Sequence, residues 1–168
     1  MKSTTNIYVM VDTSFKMQGY SAKIQTIFAR YARALSFQRN KTKLHIIGYN
    51  DKAKSLSPYE PIRTGGNPNF GEGLQYLESI IRYQRKYERT QTRSIFLWVT
   101  GENVLQGWQN PLESLFKQQG ISCTSAIPIN TRKKPFIGLL IRLTGFCATS
   151  RKIVCADLCE LYKLPINF

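Results

Sequence analysis

The chain has 168 residues, 42% of them hydrophobic, enough to bury one core of ordinary size, and it is read as a single domain over residues 1–168. No apolar run approaches the roughly 20 residues that span a bilayer, and the N-terminal MKSTTNIYVMVDTS has no apolar signal core followed by a small-residue cleavage site, which points to the cytoplasm and away from a membrane. Lysine and arginine number 24 against 10 aspartates and glutamates, a net charge of +14, and a field of that sign draws phosphate backbones, anionic membranes or acidic proteins without choosing among them.

Residues 6–11 (NIYVMV) form an almost unbroken apolar run ending at Asp12, the pattern of a strand covered on both faces. After a polar loop, residues 20–37 set Ile24, Ile27, Phe28, Tyr31, Ala32 and Leu35 at helical spacing, with Lys23, Arg30 and Arg33 largely off that face. Residues 43–49 (KLHIIGY) read as a second strand, and 54–56 as a short edge strand after a turn at Asn50 and Asp51. The proline-rich stretch 57–68 is a loop. A second helical period over 69–88 carries Phe70, Leu74, Leu77, Ile80, Ile81 and Tyr87, and residues 94–99 (SIFLWV) are again a fully apolar strand.

Beyond the loop 100–110, residues 111–119 predict a short helix stopped by Gly120, and 121–129 a strand interrupted by Pro128. A helix over 135–144, a short strand over 146–148 and a final helix over 151–164 complete the chain. Buried strands alternating with helices predict an α/β fold: a doubly wound, mostly parallel open sheet with helices on both faces and one antiparallel edge strand. No internal repeat, low-complexity segment or linker interrupts it.

Catalytic chemistry finds little purchase. No serine lies in a G-x-S-x-G elbow, the single histidine assembles no triad, and neither a P-loop nor a G-x-G-x-x-G is present, so the chain reads as a non-enzyme with no small-molecule substrate. His45 lies within an apolar strand, where a hydrogen-bonded structural role is expected. Cys123, Cys147, Cys155 and Cys159 form no CxxC pair; Cys155 and Cys159 would stand one helical turn apart, but zinc needs two further ligands, and buried free thiols are the expectation.

In a doubly wound sheet ligands bind outside the carboxyl ends of the strands, which brings forward the loops at Asp12, Gly65 and Thr100. The first, Asp12-Thr13-Ser14-Phe15-Lys16, resembles the D-x-S-x-S motif of von Willebrand factor A domains, which opens their metal-ion-dependent adhesion site. The second, Gly65-Gly66-Asn67-Pro68 leading to Gly73-Leu74, resembles the family's G-G-T-P-x-x-x-A-L. The third, Thr100-Gly101-Glu102 through Trp108, is similar to the T-D-G-x-P-T-D-x-W segment of the tellurite-resistance, TerY-like branch. The resemblance covers nearly the whole chain in element order. It implies a bacterial, cytosolic stress or defence system and a module that binds protein through its top face.

The departures matter as much. Asp12 and Ser14 match the family's metal-site positions, whereas Lys16 stands for the second serine, Asn67 for the threonine and Gly101 for the aspartate. Magnesium takes near-octahedral oxygen ligation with carboxylates among its ligands, so the site is expected to hold it weakly at most, and no cofactor is expected. Two readings of Lys16 stand side by side: its ammonium points toward Asp12 and replaces the metal's charge, or it points to solvent. A rival is that Glu102 supplies a second carboxylate. The favoured partner is an acidic protein meeting Lys16, Arg63 and Glu102. The competing class is nucleic acid, met by Arg82, Arg85, Lys86, Arg89 and Arg93, interleaved with Tyr83 and Tyr87, and by Lys133 and Lys134; a solvated helix end is the plainer reading of the first group.

Overall fold

In the computed structural model, which describes residues 4–37, 41–87, 92–100, 121–128 and 154–155, the first strand β1 (Thr4–Asp12) lies inside a six-stranded sheet. It is followed by a single 3-10 turn at Phe15–Met17, helix α1 (Ser21–Ser36), strands β2 (Lys41–Tyr49) and β3 (Ala53–Leu56), helix α2 (Phe70–Tyr87), and strands β4 (Thr92–Thr100), β5 (Ile121–Pro128) and β6 (Val154–Cys155). The spatial order is β3-β2-β1-β4-β5-β6. Every neighbouring pair is parallel except β2 and β3, so the sheet is doubly wound with one antiparallel edge strand, as the sequence pattern implies. The chain winds outward from β1 to β2 on one side and to β4 on the other, which makes the carboxyl end of β1 the switch point where such sheets bind ligands.

Alternation along β1 divides the core. Ile7, Val9 and Val11 point to one face and join Ile46, Met17 and the α1 stripe of Ile24, Ile27, Phe28, Tyr31 and Leu35 in one cluster. Tyr8 and Met10, of opposite parity, are buried on the other face with Ile47 and Tyr49, where α2 packs through Phe70, Leu74, Leu77 and Ile81. The Phe70 ring meets Tyr49 edge-on, with centroids 5.9 Å apart at 85°, and a Cβ on Gly73 would lie 3.0 Å from that of Tyr49, so the missing side chain lets the helix approach the sheet. Asn69 caps α2, its Oδ1 accepting from the Glu72 N–H at 3.3 Å, and Arg85 and Lys86 occupy the last turn, where cations favour the helix dipole. His45 is half-buried, its ring stacked on Tyr8 at 5.0 Å and its Nε2 3.3 Å from Asn6 Oδ1, in keeping with a structural role.

Two expectations are corrected. Tyr87 is not on the packed face of α2 but 61% exposed. At 100° per residue it lies about 100° from the stripe centred on Phe70, Leu77 and Ile81. The segment read as a helix over 151–164 contains a strand instead, Val154–Cys155, paired in parallel with Ser125 and Ala126 of β5. A short apolar run with β-branched residues fits either element, and here the pairing available at the β5 edge decides it. With Cys155 in a strand, its one-turn spacing to Cys159 loses its basis. The elements read over 111–119, 135–144 and 146–148 lie outside the described residues.

Leu77 is fully buried, so Leu77→Ala should cost about 2–5 kcal/mol in urea unfolding, whereas Tyr87→Ala should stay within about 0.5 kcal/mol. The opposite ranking would put α2 on the wrong face.

Candidate interaction rim at the strand ends

Asp12, the last residue of β1, is buried with Thr13 and Ser14 immediately after it. Its carboxylate folds back on the chain: Oδ1 accepts the Ser14 N–H at 2.8 Å, a local turn that aspartate forms readily. Thr13 donates both its N–H (2.8 Å) and its Oγ1 hydroxyl (3.1 Å) to the Tyr49 carbonyl at the end of β2. The Thr13 carbonyl accepts the Gly65 N–H at 3.0 Å, and the Phe15 N–H donates to the Gly66 carbonyl at 3.2 Å. The first and second loops are therefore joined through the main chain.

A third tie comes from the β2–β3 turn. Asn50 accepts the Asn69 N–H on its carbonyl at 3.1 Å, and Asp51 Oδ1 accepts the Asn67 N–H at 3.4 Å. Gly66 has φ +68, and a Cβ there would fall 2.1 Å from Asp51 Oδ2. Both the left-handed backbone and the carboxylate packed above it require glycine. Asp51 was legible only as a turn residue; no spacing marks it as the brace of a loop 16 residues away.

The side chains of the first two loops are sorted by this backbone. Asp12 Oδ2 and Ser14 Oγ are buried and without a hydrogen-bond partner among the described residues. Lys16 is exposed on the 3-10 turn. The tight turn is the reason: at about 120° per residue, burying Met17 under α1 rotates Lys16 outward. Phe15, beside it, is 53% exposed, and Asn67 is exposed on the facing loop. Arg63 is exposed where the chain climbs from β3 to the second loop; with Lys54, Leu56, Glu60, Pro61 and Ile62 it lines a groove of about 400 Å³.

The third loop leaves β4 at the same end, since Val99 is level with Val11 in the parallel pairing. Gly101 and Glu102 themselves lie outside the described residues, as do Arg89, Lys133 and Lys134. Arg82, Arg85 and Lys86 are exposed on the last turns of α2, and Arg93 is level with Thr5 near the start of β4. They gather at the end of the sheet opposite Lys16 and Arg63. Among the described residues no three His, Cys, Asp or Glu side chains come together as metal ligands, and no helix is long and apolar enough to cross a membrane.

This fold is shared with solved structures. The vWF domain of the type V pili tip protein Mfa5 from Porphyromonas gingivalis superposes with a TM-score of 0.69 at 7% identity, over 97% of this chain and 93% of that one. The chain has the von Willebrand factor A fold. A von Willebrand factor type A protein from Catenulispora acidiphila (TM-score 0.64, 12% identity) and proximal thread matrix protein 1 from the mussel byssus, solved with a zinc-occupied MIDAS motif (0.61, 14%), match over 96% and 97% of this chain. The chain spans only 41% and 44% of those two. No protein-family model and no curated protein matches the sequence.

Gly66→Ala should destabilise the fold by about 1–2 kcal/mol, because the left-handed conformation resists a side chain and Asp51 must swing away from Asn67. Gly65→Ala, with nothing within 4 Å of the added carbon, should be nearly neutral. Urea unfolding of the pair checks the brace.

Proposed function

We propose that the chain is a non-catalytic protein-interaction module of the von Willebrand A type that meets an acidic partner with the rim above β1 and holds no resident metal there. The observation that carries this reading is the rim itself: two loops cross-bonded through the main chain, with Lys16, Arg63 and Phe15 turned outward. A fixed backbone with exposed cations beside one aromatic can recognise carboxylates by charge-assisted hydrogen bonds at little ordering cost. Neighbours of this fold, among them a pilus tip protein and a thread matrix protein, support a protein-interaction module in general. The resemblance of the three loops to the TerY-like branch suggests a cytosolic, bacterial stress or defence setting.

The donor set supports a metal-free rim. Among the described residues, Asp12 Oδ2 and Ser14 Oγ are the buried oxygens left without a partner where the family places its ion. Gly101 has no side chain to add, and Lys16 stands where a second hydroxyl would be. Magnesium takes six oxygen ligands in near-octahedral array, and one carboxylate with one hydroxyl falls well short of that cage. The residues present do not fit the ion, and the two orphaned oxygens are better read as what remains of such a site.

Titration calorimetry should show no micromolar binding of magnesium or manganese; such binding, abolished by Asp12→Ala, would overturn the metal-free rim. For the partner chemistry, a labelled polyglutamate peptide should bind in anisotropy and lose at least about tenfold in affinity with Lys16→Glu and Arg63→Glu together. Affinity unchanged by that double reversal removes the rim from the interaction.

A further inference from the structure

The far end of α2 carries a feature the rim does not use. Tyr83 and Tyr87 are 62% and 61% exposed, and their rings lie against each other, centroids 4.6 Å apart at 47°. Lys86 places its Nζ 5.7 Å from the centre of the Tyr87 ring. Tyr76, about two turns from Tyr83 toward the rim, falls on the same side of the helix, its hydroxyl sharing a 3.1 Å hydrogen bond with Ser55 Oγ of β3. Large aromatics left in water as a touching pair bury little apolar area and contribute little to the fold. Around them Glu78 is taken by Arg82, an i,i+4 ion pair, while residues 85–93 (RKYERTQTR) run Arg85, Lys86, Arg89 and Arg93 against the single Glu88.

We propose that the exposed Tyr83–Tyr87 pair, with Lys86 beside it, is a binding site for single-stranded nucleic acid. Bases stack on aromatic faces whatever their sequence, and flanking cations follow the phosphates; the two together define a sequence-tolerant single-strand site. An acidic protein would use the cations but has no need of ring faces open to solvent, which is why the tyrosines favour nucleic acid. A duplex keeps its bases inside the stack and cannot use them either. The site sits at the opposite end of the sheet from the rim and is independent of it.

The test is fluorescence anisotropy of a labelled oligothymidylate about twelve nucleotides long with the whole chain at low salt. Binding should be micromolar or tighter, weaker for a duplex of equal length, and should fall steeply with added salt. Tyr83→Ala with Tyr87→Ala should weaken it about tenfold or more, the loss expected for one stacked base, while Tyr83→Phe with Tyr87→Phe should retain it. Circular dichroism of each variant should match the parent, since both rings are exposed, and Lys16→Glu with Arg63→Glu should leave oligonucleotide binding unchanged. The proposal is overturned by no binding at low salt, by a double alanine variant that is folded and binds like the parent, or by polyglutamate displacing the oligonucleotide with the same dependence on both tyrosines.

Discussion

The Tyr49 carbonyl, accepting two hydrogen bonds from Thr13, is the junction on which the rest of this end of the molecule is built. It ties the exit of β1 to the exit of β2, and the Thr13 carbonyl then receives Gly65 from the loop that feeds α2. Backbone groups that would otherwise face a partly buried crevice unpaired are thereby satisfied by one another. The Tyr49 ring seats α2 against the sheet through Phe70 and the bare backbone of Gly73. One residue thus fixes a helix with its side chain and two loops with its carbonyl.

This explains how the first two loops are held above the strand ends. Loop geometry comes from main-chain bonds, from the left-handed Gly66 and from the Asp51 brace. Lys16 is exposed on the same turn that buries Met17. Asp12 keeps its backbone contact through Oδ1, while Oδ2 and the Ser14 hydroxyl keep none among the described residues.

What the residues announce beforehand follows from how local the responsible physics is. Runs such as NIYVMV and SIFLWV, and the 3.6-residue stripes of α1 and α2, are periodic burial patterns, and their elements fall within a few residues of where the pattern puts them. The parallel order is legible because parallel strands need a long crossover, and helical stretches separate β1 from β2 and β3 from β4. Tyr87 and Val154 were misplaced for opposite reasons: one extends a helical period past the face it belongs to, the other lies in an apolar run too short to have a period. At the rim, the positions Asp12, Ser14 and Asn67 are visible only through the resemblance of their loops to the family's motifs. The outward swing of Lys16 and the reach of Asp51 to Gly66 depend on three-dimensional turns that no spacing encodes.

Helix α2 has a mechanical consequence. Its 18 residues make a rod of about 27 Å, anchored at one end by Asn69 to the β2–β3 turn and carrying the paired tyrosines at the other. The two positively charged poles are therefore held at a fixed separation, too far for one small ion or metabolite to touch both. Any ligand that touches both must itself reach that far, and compact visitors meet one pole at a time.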